Sequence, residues 1–222
     1  MNIAIKKTPA KWLLPLNWVT LLIILAALLV FILTLLALIN ENAEFDQVIG
    51  KNILSHRYGF LTSFMATISI LGSTEFLAVA NLTLIIFFII RKDKWTALRI
   101  FIVASTSYAI LKTLKALLQR ARPDEPIIAA LKNYSFPSGH AFMAVAFYGF
   151  IICWVMLGVR EKKIRNVVIA SMIFLVVIIG YSRVYLGVHY ATDVLAGWGL
   201  GTAWLLISLL IIDKVSSARH PD

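Results

Sequence analysis

Residues 141–159 read AFMAVAFYGFIICWVMLGV and contain no charged side chain. A helix needs about 20 apolar residues to cross the hydrocarbon core of a bilayer, and this stretch has that length. Further apolar blocks occupy 19–39, 76–90, 100–118, 167–181 and 194–212. The sequence therefore predicts an all-α fold, a polytopic membrane helical bundle with six transmembrane helices that forms a single domain over residues 1–222.

The overall composition agrees with a membrane protein. Hydrophobic residues make up 60% of the 222 residues and charged residues only 14%, whereas soluble domains are less apolar and carry more charge. A net charge of +10 would suggest a nucleic-acid partner for a soluble protein. Here the basic residues stand between the apolar blocks, so no nucleic-acid partner is predicted. The lone Cys153 excludes an internal disulfide and a cysteine-rich metal site.

The basic residues also predict the orientation of the chain, because Lys and Arg favour cytoplasmic connections. Four basic groups would fall on one side of six spans: Lys6, Lys7, Lys11; Arg91, Lys92, Lys94, Arg99; Arg160, Lys162, Lys163, Arg165; Lys214, Arg219. We therefore predict a multi-pass protein of the cytoplasmic membrane with both termini in the cytoplasm. The first block is predicted to be a retained anchor. Segment 60–71 is too short to span alone and is predicted to be interfacial, re-entrant or part of the second span.

A first cluster of polar residues ends the third predicted span. Lys115 and Arg122 are two helical turns apart, so they can share one face of that helix, and Pro123 would then end it. Taken alone, the cluster is more typical of a basic flank whose side chains reach the membrane interface. Arg120 is assigned to such a flank.

A second cluster, Phe136-Pro137-Ser138-Gly139-His140, precedes the fourth span. Ser138 can cap the helix, and Gly139 lets a ligand approach the backbone closely. The free N–H groups and dipole of a helix N-terminus favour an anion, and His140 would lie beside it. By itself the segment fits an ordinary capped helix equally well.

The third cluster joins spans five and six and contains Ser182, Arg183, His189 and Asp193. His189 and Asp193 are four residues apart, so on a helix they would share one face. A carboxylate next to a histidine fixes its tautomer and raises the basicity of the other ring nitrogen. Ionisable residues at the edge of a membrane bundle are functional candidates by default.

The predicted orientation brings all three clusters to the outer face of the membrane. Three cations (Lys115, Arg122, Arg183) would then meet two histidines, one aspartate and a helix N-terminus. This set suits a tetrahedral phosphate, since cations can bind its oxygens while the histidines attack or transfer protons.

The ordered clusters resemble the signature motifs of the type-2 phosphatidic-acid phosphatase and lipid phosphate phosphatase family, a membrane branch of the superfamily that includes vanadium haloperoxidases and bacterial acid phosphatases. The matching residues are Lys115, Arg122, Pro123, Pro137, Ser138, Gly139, His140, Ser182, Arg183, His189 and Asp193. An ordered triple of motifs is far more specific than any one of them.

The resemblance implies a role for each motif residue. His189 would be the nucleophile that forms a phosphohistidine, Asp193 its orienting partner and His140 the general acid. Lys115, Arg122, Ser138, Gly139 and Arg183 would bind the phosphate oxygens. The resemblance implies neither a metal ion nor another cofactor.

Several questions about function stay open at this point. The substrate could be phosphatidic acid, phosphatidylglycerophosphate or undecaprenyl pyrophosphate, and its selection is expected to depend on 40–59, 60–71 and 123–136. The same site could serve a lipid-to-lipid phosphotransferase, and a non-enzymatic anion transporter is a weaker alternative. Glu75 could position a head group or His140, or be an interfacial carboxylate. Oligomeric state is not predicted.

Overall fold

The protein is all-helical in a computed structural model that describes residues 16–39, 44–54, 59–124, 126–127 and 133–219. The described part contains eight helices: α1 (Leu16–Ile39), α2 (Glu44–Leu54), α3 (Gly59–Ile70), α4 (Thr74–Ile90), α5 (Lys94–Leu118), α6 (Gly139–Gly158), α7 (Lys162–Tyr185) and α8 (Ala191–Arg219). The basic residues at positions 6, 7 and 11 lie outside these ranges. The all-α prediction is confirmed.

Four helices of the described part, α5 to α8, are long and apolar enough to cross a membrane. Helices α3 and α4 meet at a bend of 43° and together give a fifth candidate, either a broken span or a re-entrant loop. Most of the first predicted span lies in α1, whose side chains include the exposed Trp18 and Phe31. The chain is therefore a multi-pass membrane protein with four or five spans assigned by length and composition.

None of the predicted spans includes residues 40–59, yet α2 lies within this segment. It begins with Glu44 and Asp46 and ends with Lys51 in its last turn, a charge distribution that stabilises the helix dipole at both ends. This signal was present in the sequence, but the segment is too short and too polar to register as a span. The helix places Asp46 against α8, where the carboxylate is buried.

Helix α5 ends earlier than predicted. Its last residue is Leu118, and Gln119 follows in the left-handed conformation with φ 44°, a common way to terminate a helix. The prediction that Lys115 and Arg122 share a helical face is therefore wrong, because Arg122 lies in the following loop. Proline at 123 also favours an extended backbone at Arg122.

The basic group between α4 and α5 also needs a correction. Arg99 does not belong to the exposed connection, because it lies within α5 and is only 2% exposed. Its guanidinium donates to Asp213 of α8 at 2.8 Å. This buried ion pair lies at the end of α5 and α8 that is remote from the residue clusters, since Lys115 and Asp193 occupy the opposite ends of those helices.

Helix α6 is the centre of the bundle and packs against α4, α5, α7 and α8. Side chains from 141 to 148 are buried along its first three turns. The core around it includes Leu77 of α4, Leu111 of α5 and Ile179 of α7. Apolar side chains pack around α6 on several sides. Its N-terminus therefore has a fixed position relative to α5, α7 and α8.

Glycines of α8 permit its close approach to neighbouring helices. A Cβ atom at Gly197 would lie 2.8 Å from the Ser138 carbonyl oxygen, and one at Gly201 would lie 2.9 Å from that of Phe142. At Gly199 it would lie 2.9 Å from Val30 of α1. Helix α8 therefore lies close to α6 and α1 at these three glycines.

We expect Gly197→Ala to lower the stability of the protein by about 1–3 kcal/mol, because the added methyl group requires α8 to move away from α6. The matched control is Gly158→Ala at the end of α6, where a Cβ would meet no atom within 4 Å. Thermal unfolding in detergent should show a lower melting temperature for Gly197→Ala alone. Equal melting temperatures for both variants would contradict the close contact.

Candidate active site

The three residue clusters meet at one end of the bundle. The amide of Ser138, at the start of α6, donates to the carbonyl of Asp193 at 3.0 Å. Lys115, in the last turn of α5, donates to the carbonyl of Ser135 at 3.2 Å. Arg122 donates to the carbonyl of Val188 at 2.5 Å. Direct hydrogen bonds therefore join segments that are far apart in sequence.

His189 lies between the carboxylate of Asp193 and the guanidinium of Arg122. Its Nδ1 lies 3.3 Å from Oδ2 of Asp193, and its Nε2 lies 3.4 Å from Nη1 of Arg122. The residue lies in the loop before α8, not on the helix, so the predicted helical i to i+4 geometry is wrong although the contact exists. The backbone amide of His189 donates to Arg183 at 3.3 Å, which fixes the loop on the end of α7.

The Asp193 carboxylate is fully buried and accepts several hydrogen bonds. Oδ1 accepts from Arg120 at 2.6 Å. Oδ2 accepts from the Ser135 hydroxyl at 2.5 Å and from the Tyr190 amide at 2.9 Å. Donors on both oxygens stabilise the ionised form and fix the plane of the carboxylate. Asp193 is thus oriented before any ligand binds, with one oxygen facing His189.

Burial determines the protonation of the histidine. It lowers the pKa of the His189 imidazole to about 4, with Asp193 acting in the opposite direction and with less effect. A histidine is normally half-protonated near pH 6.5. At neutral pH His189 is therefore uncharged, and its unprotonated ring nitrogen is available for attack.

We expect the His189 ring to stay neutral as the pH falls from 8 to about 5, because desolvation penalises the imidazolium. The ring carbon resonances of specifically labelled histidine should show a midpoint near pH 4 for one residue. Loss of that signal in His189→Gln assigns it. A midpoint near the ordinary value of about 6.5 would contradict the buried, neutral histidine.

Three cations lie around His189 and Asp193. They are Lys115 on α5, Arg122 in the loop after α5, and Arg183 on α7. Lys115 is 9% exposed and Arg183 is 2% exposed. Lys115 also donates to the Tyr134 carbonyl at 2.5 Å. Arg122 donates through Nε to the Asn133 carbonyl at 2.7 Å, and burial lowers its pKa, partly opposed by Asp193. These contacts fix the cations within a small space.

Two donors of the site lack a partner within the described residues. The Ser138 hydroxyl and Nε of Arg183 are both buried without a hydrogen bond there, while another nitrogen of Arg183 donates to Ser69 of α3. Ser138 occupies the N-cap position of α6 as predicted, but its side chain makes no capping bond. Unpaired buried donors are costly unless a ligand satisfies them. Both are therefore suited to oxygens of an anion.

His140 and Gly139 form the first turn of α6. A Cβ atom at Gly139 would lie 3.1 Å from Leu111 and 3.9 Å from Cε of Lys115. His140 is half-buried, and it lies close enough to Arg183 and His189 for their charges to act on it. The bend between α3 and α4 packs over it, since a Cβ at Gly72 would lie 3.4 Å from the His140 ring. Glu75 is exposed in the first turn of α4.

Several polar residues outside the predicted site contact Asp193. Arg120 is not an interfacial flank: its guanidinium is 10% exposed and forms ion pairs with Asp193 at 2.6 Å and Asp46 at 2.9 Å. Burial acts to lower the pKa of Arg120, but the two carboxylates outweigh it and the net change is upward. Ser135, which donates to Asp193, lies just before the second cluster and outside it. Neither contact has a local sequence signal.

Comparison with known proteins agrees with the motif arrangement. The sequence profile described as "PAP2 superfamily" matches residues 95–217, a range that contains all three clusters. The chain belongs to the PAP2 superfamily. Within the described residues of this PAP2 protein, no three His, Cys, Asp or Glu side chains form a group that could hold a metal ion.

Two named relatives match this PAP2 protein over most of their length. Phosphatidylglycerophosphatase B of Bacillus subtilis is 36% identical over 198 residues, which cover 87% of this chain and 97% of the relative. Undecaprenyl-diphosphatase of Sulfolobus acidocaldarius is 29% identical over 174 residues, covering 75% and 77% of the two chains. The resemblance therefore extends well beyond the motifs.

A solved structure supports the fold of the PAP2 protein. The crystal structure of a transmembrane PAP2-type phosphatidylglycerolphosphate phosphatase from Bacillus subtilis aligns with a TM-score of 0.79 at 30% identity. The alignment covers 87% of this chain and 96% of the other. The helices that position the clusters are thus arranged as in a membrane member of the superfamily.

Proposed function

We propose that this PAP2 protein hydrolyses the phosphate ester or diphosphate of a membrane lipid through a phosphohistidine intermediate on His189. The observation that carries the proposal is the placement of His189, with Nδ1 toward Asp193 and Nε2 toward Arg122. In that orientation Asp193 holds the proton on Nδ1. Nε2 then points toward the cations that would bind phosphate.

The first chemical step is an in-line attack of His189 Nε2 on phosphorus. An N–P bond forms while the P–O bond to the lipid breaks, and His140 gives its proton to the departing oxygen. Lys115, Arg122, Arg183, the Ser138 hydroxyl and the amide of Gly139 stabilise the phosphoryl oxygens. Fixed donors of this kind favour the transition state because they need no reorganisation during the reaction.

The second step releases inorganic phosphate. Water attacks phosphorus, its proton passes to His140, and the N–P bond breaks to restore His189. His140 thereby regains the proton that it gave to the leaving group. Asp193 compensates the positive charge of the modified ring in both steps, as a buried carboxylate beside an imidazole does in other nucleophilic enzymes.

A lipid substrate is supported by the position of the site and by the relatives. His140 and Arg183 lie at the ends of α6 and α7, and His189 lies just before α8; all three helices are candidate membrane spans. The two relatives described above are named as a phosphatase of phosphatidylglycerophosphate and a phosphatase of undecaprenyl diphosphate. Phosphatidylglycerophosphate is the first substrate to test, because the match to phosphatidylglycerophosphatase B covers 87% of this chain and 97% of that relative.

We also propose that residues 1–222 form one domain with six spans, counting α1 and the α3–α4 pair. The site would face the exterior or periplasm, and both termini the cytoplasm. The support is the distribution of charge, since the exposed Arg91, Lys92, Lys162 and Lys163 lie at the end of the bundle opposite the site. Lys and Arg in such connections favour the cytoplasmic side.

A cysteine at Asp124 should react with a membrane-impermeant maleimide on intact spheroplasts, whereas one at Lys163 should react only after lysis. Both positions are exposed, and they lie at opposite ends of the bundle. Cys153 is first replaced by alanine in each variant. The reverse labelling pattern would contradict the proposed orientation.

The function is tested by phosphate release from phosphatidylglycerophosphate, phosphatidic acid, undecaprenyl pyrophosphate and a soluble phosphate ester, all in EDTA. We expect release from at least one lipid that is lost in His189→Gln. Transfer of labelled phosphate to a second lipid, without free phosphate, would instead identify a phosphotransferase. Equal phosphate release by the wild-type protein and His189→Gln would contradict the histidine mechanism.

A further inference from the structure

A single arginine connects the predicted catalytic carboxylate to a helix outside the sequence motifs. Arg120 Nη1 donates to Asp193 Oδ1 at 2.6 Å, and Nη2 donates to Asp46 Oδ2 at 2.9 Å. The guanidinium also lies 4.2 Å from the centre of the Tyr190 ring. Two ion pairs and a cation–π contact fix the planar group in one orientation.

Asp46 of α2 contacts the start of α8 as well as Arg120. Its Oδ1 accepts from the Thr192 amide at 3.0 Å, and its Oδ2 accepts from the Thr192 hydroxyl at 2.6 Å. The same hydroxyl accepts from Arg120 at 2.8 Å. Asp46 therefore acts on Asp193 by two routes, through Arg120 and through the backbone next to Asp193.

We propose that Arg120 is a positioning residue for the reaction, which sets the Asp193 carboxylate for His189, and that Asp46 of α2 holds Arg120 in place. This inference rests on the proposed function of His189 and Asp193. It assigns roles to two residues outside the three motifs and gives α2 a part in the reaction.

The geometry explains why the contact matters for chemistry. Arg120 binds Oδ1, so Oδ2 is the oxygen that faces His189 Nδ1. If Arg120 were absent, the carboxylate would lose the donor on Oδ1 and could rotate, which would weaken control of the histidine tautomer. Among the described residues, no hydrogen bond joins Arg120 to His189. Both Nη1 and Nη2 of Arg120 donate to side chains of the protein. It is therefore expected to act through Asp193 and not by binding phosphate.

The protein contains a matched control for a purely structural role. Arg99 and Asp213 form a second buried arginine–aspartate pair between α5 and α8, with a distance of 2.8 Å, at the end of the bundle remote from His189. Loss of either arginine leaves a buried carboxylate with one fewer partner, which is destabilising. Only loss of Arg120 should change the chemistry.

The test compares Arg120→Ala, Arg120→Lys, Asp46→Asn and Arg99→Gln, purified in detergent and matched for folded protein, with the lipid that the wild-type enzyme hydrolyses. We expect kcat of Arg120→Ala to fall by about 10- to 100-fold, by analogy with the loss found when a residue that orients a metal ligand is removed. KM should stay near the wild-type value. Added guanidinium should restore part of kcat in Arg120→Ala and leave Arg99→Gln unchanged, because only the former lacks a guanidinium that acts on Asp193.

Conservative and double variants keep the inference testable if Arg120→Ala does not fold. Arg120→Lys retains the charge but cannot serve both carboxylates in the same geometry, so its kcat should also fall. In an Arg120→Lys background, Asp46→Asn should lower kcat less than it does alone, because one of its two routes is already impaired. Folded Arg120 variants with wild-type kcat, or a loss that appears only in KM, would overturn the inference. An inactive wild-type enzyme would instead contradict the proposed function.

Discussion

His189→Gln should lower phosphate release by about 10⁶-fold, the loss seen when a catalytic nucleophile is removed from an enzyme that depends on covalent catalysis. Glutamine is close to histidine in size and can keep a hydrogen bond to Asp193, but it has no nitrogen that can attack phosphorus at a useful rate. His189 is only 3% exposed, so the replacement should remain covered by the same neighbours. The measurement is steady-state release of inorganic phosphate from the preferred lipid.

The variant must be shown to insert and fold. We expect His189→Gln to elute as the wild-type protein does in size exclusion and to keep its helical circular dichroism, since the residue lies in a loop between α7 and α8. Binding of inorganic phosphate should also persist, because Lys115, Arg122 and Arg183 are unchanged. Substantial turnover in a folded His189→Gln protein would require another nucleophile.

The second large effect is expected for Asp193→Asn, with a fall in kcat of about 10⁴-fold, as for an orienting aspartate in a histidine-dependent hydrolase. The Asp193 carboxylate accepts from Arg120, Ser135 and the Tyr190 amide. An amide at this position has a donor in place of one acceptor oxygen. If its NH₂ group faces His189, the ring proton moves to Nε2, and the nitrogen that should attack is no longer available.

Asp213→Asn is the control for Asp193→Asn, because both carboxylates are buried on α8 beside an arginine. Its melting temperature should fall, whereas kcat per folded molecule should stay near that of the wild type. Initial rates at saturating lipid, normalised to folded protein, separate the two effects. A similar kcat for both variants would contradict the orienting role of Asp193.

The sequence was most informative where neighbouring positions carry the pattern. The apolar block at 141–159 predicts a helix, and the structure has α6 from Gly139 to Gly158. The spacing of Arg183, His189 and Asp193 places all three at one turn of the chain, because a helix end, a short loop and a helix start follow in order. Membership of the PAP2 superfamily could therefore be predicted from the motifs, whereas the chemical role of each residue stays a prediction.

Contacts that join distant segments have no pattern in the sequence that predicts them. The Arg120–Asp46 pair spans 74 positions and has no periodic signal, so Arg120 was indistinguishable from a basic residue at a membrane interface. The early end of α5 was missed because Gln119 is a good helix former and nothing in its type requires φ 44°. Arg99 was assigned to a connection because its partner, Asp213, lies on another helix.

The central claim is that phosphate is carried on His189, and trapping of that intermediate tests it most directly. His140→Gln should still accept phosphate from labelled nitrophenyl phosphate, whose leaving group needs no acid, but should be slow to activate water. We predict a burst of nitrophenol together with label that is stable in alkali, labile in acid and located on the peptide containing His189. Nitrophenol release without bound label, or acid-stable label on another residue, would contradict the mechanism.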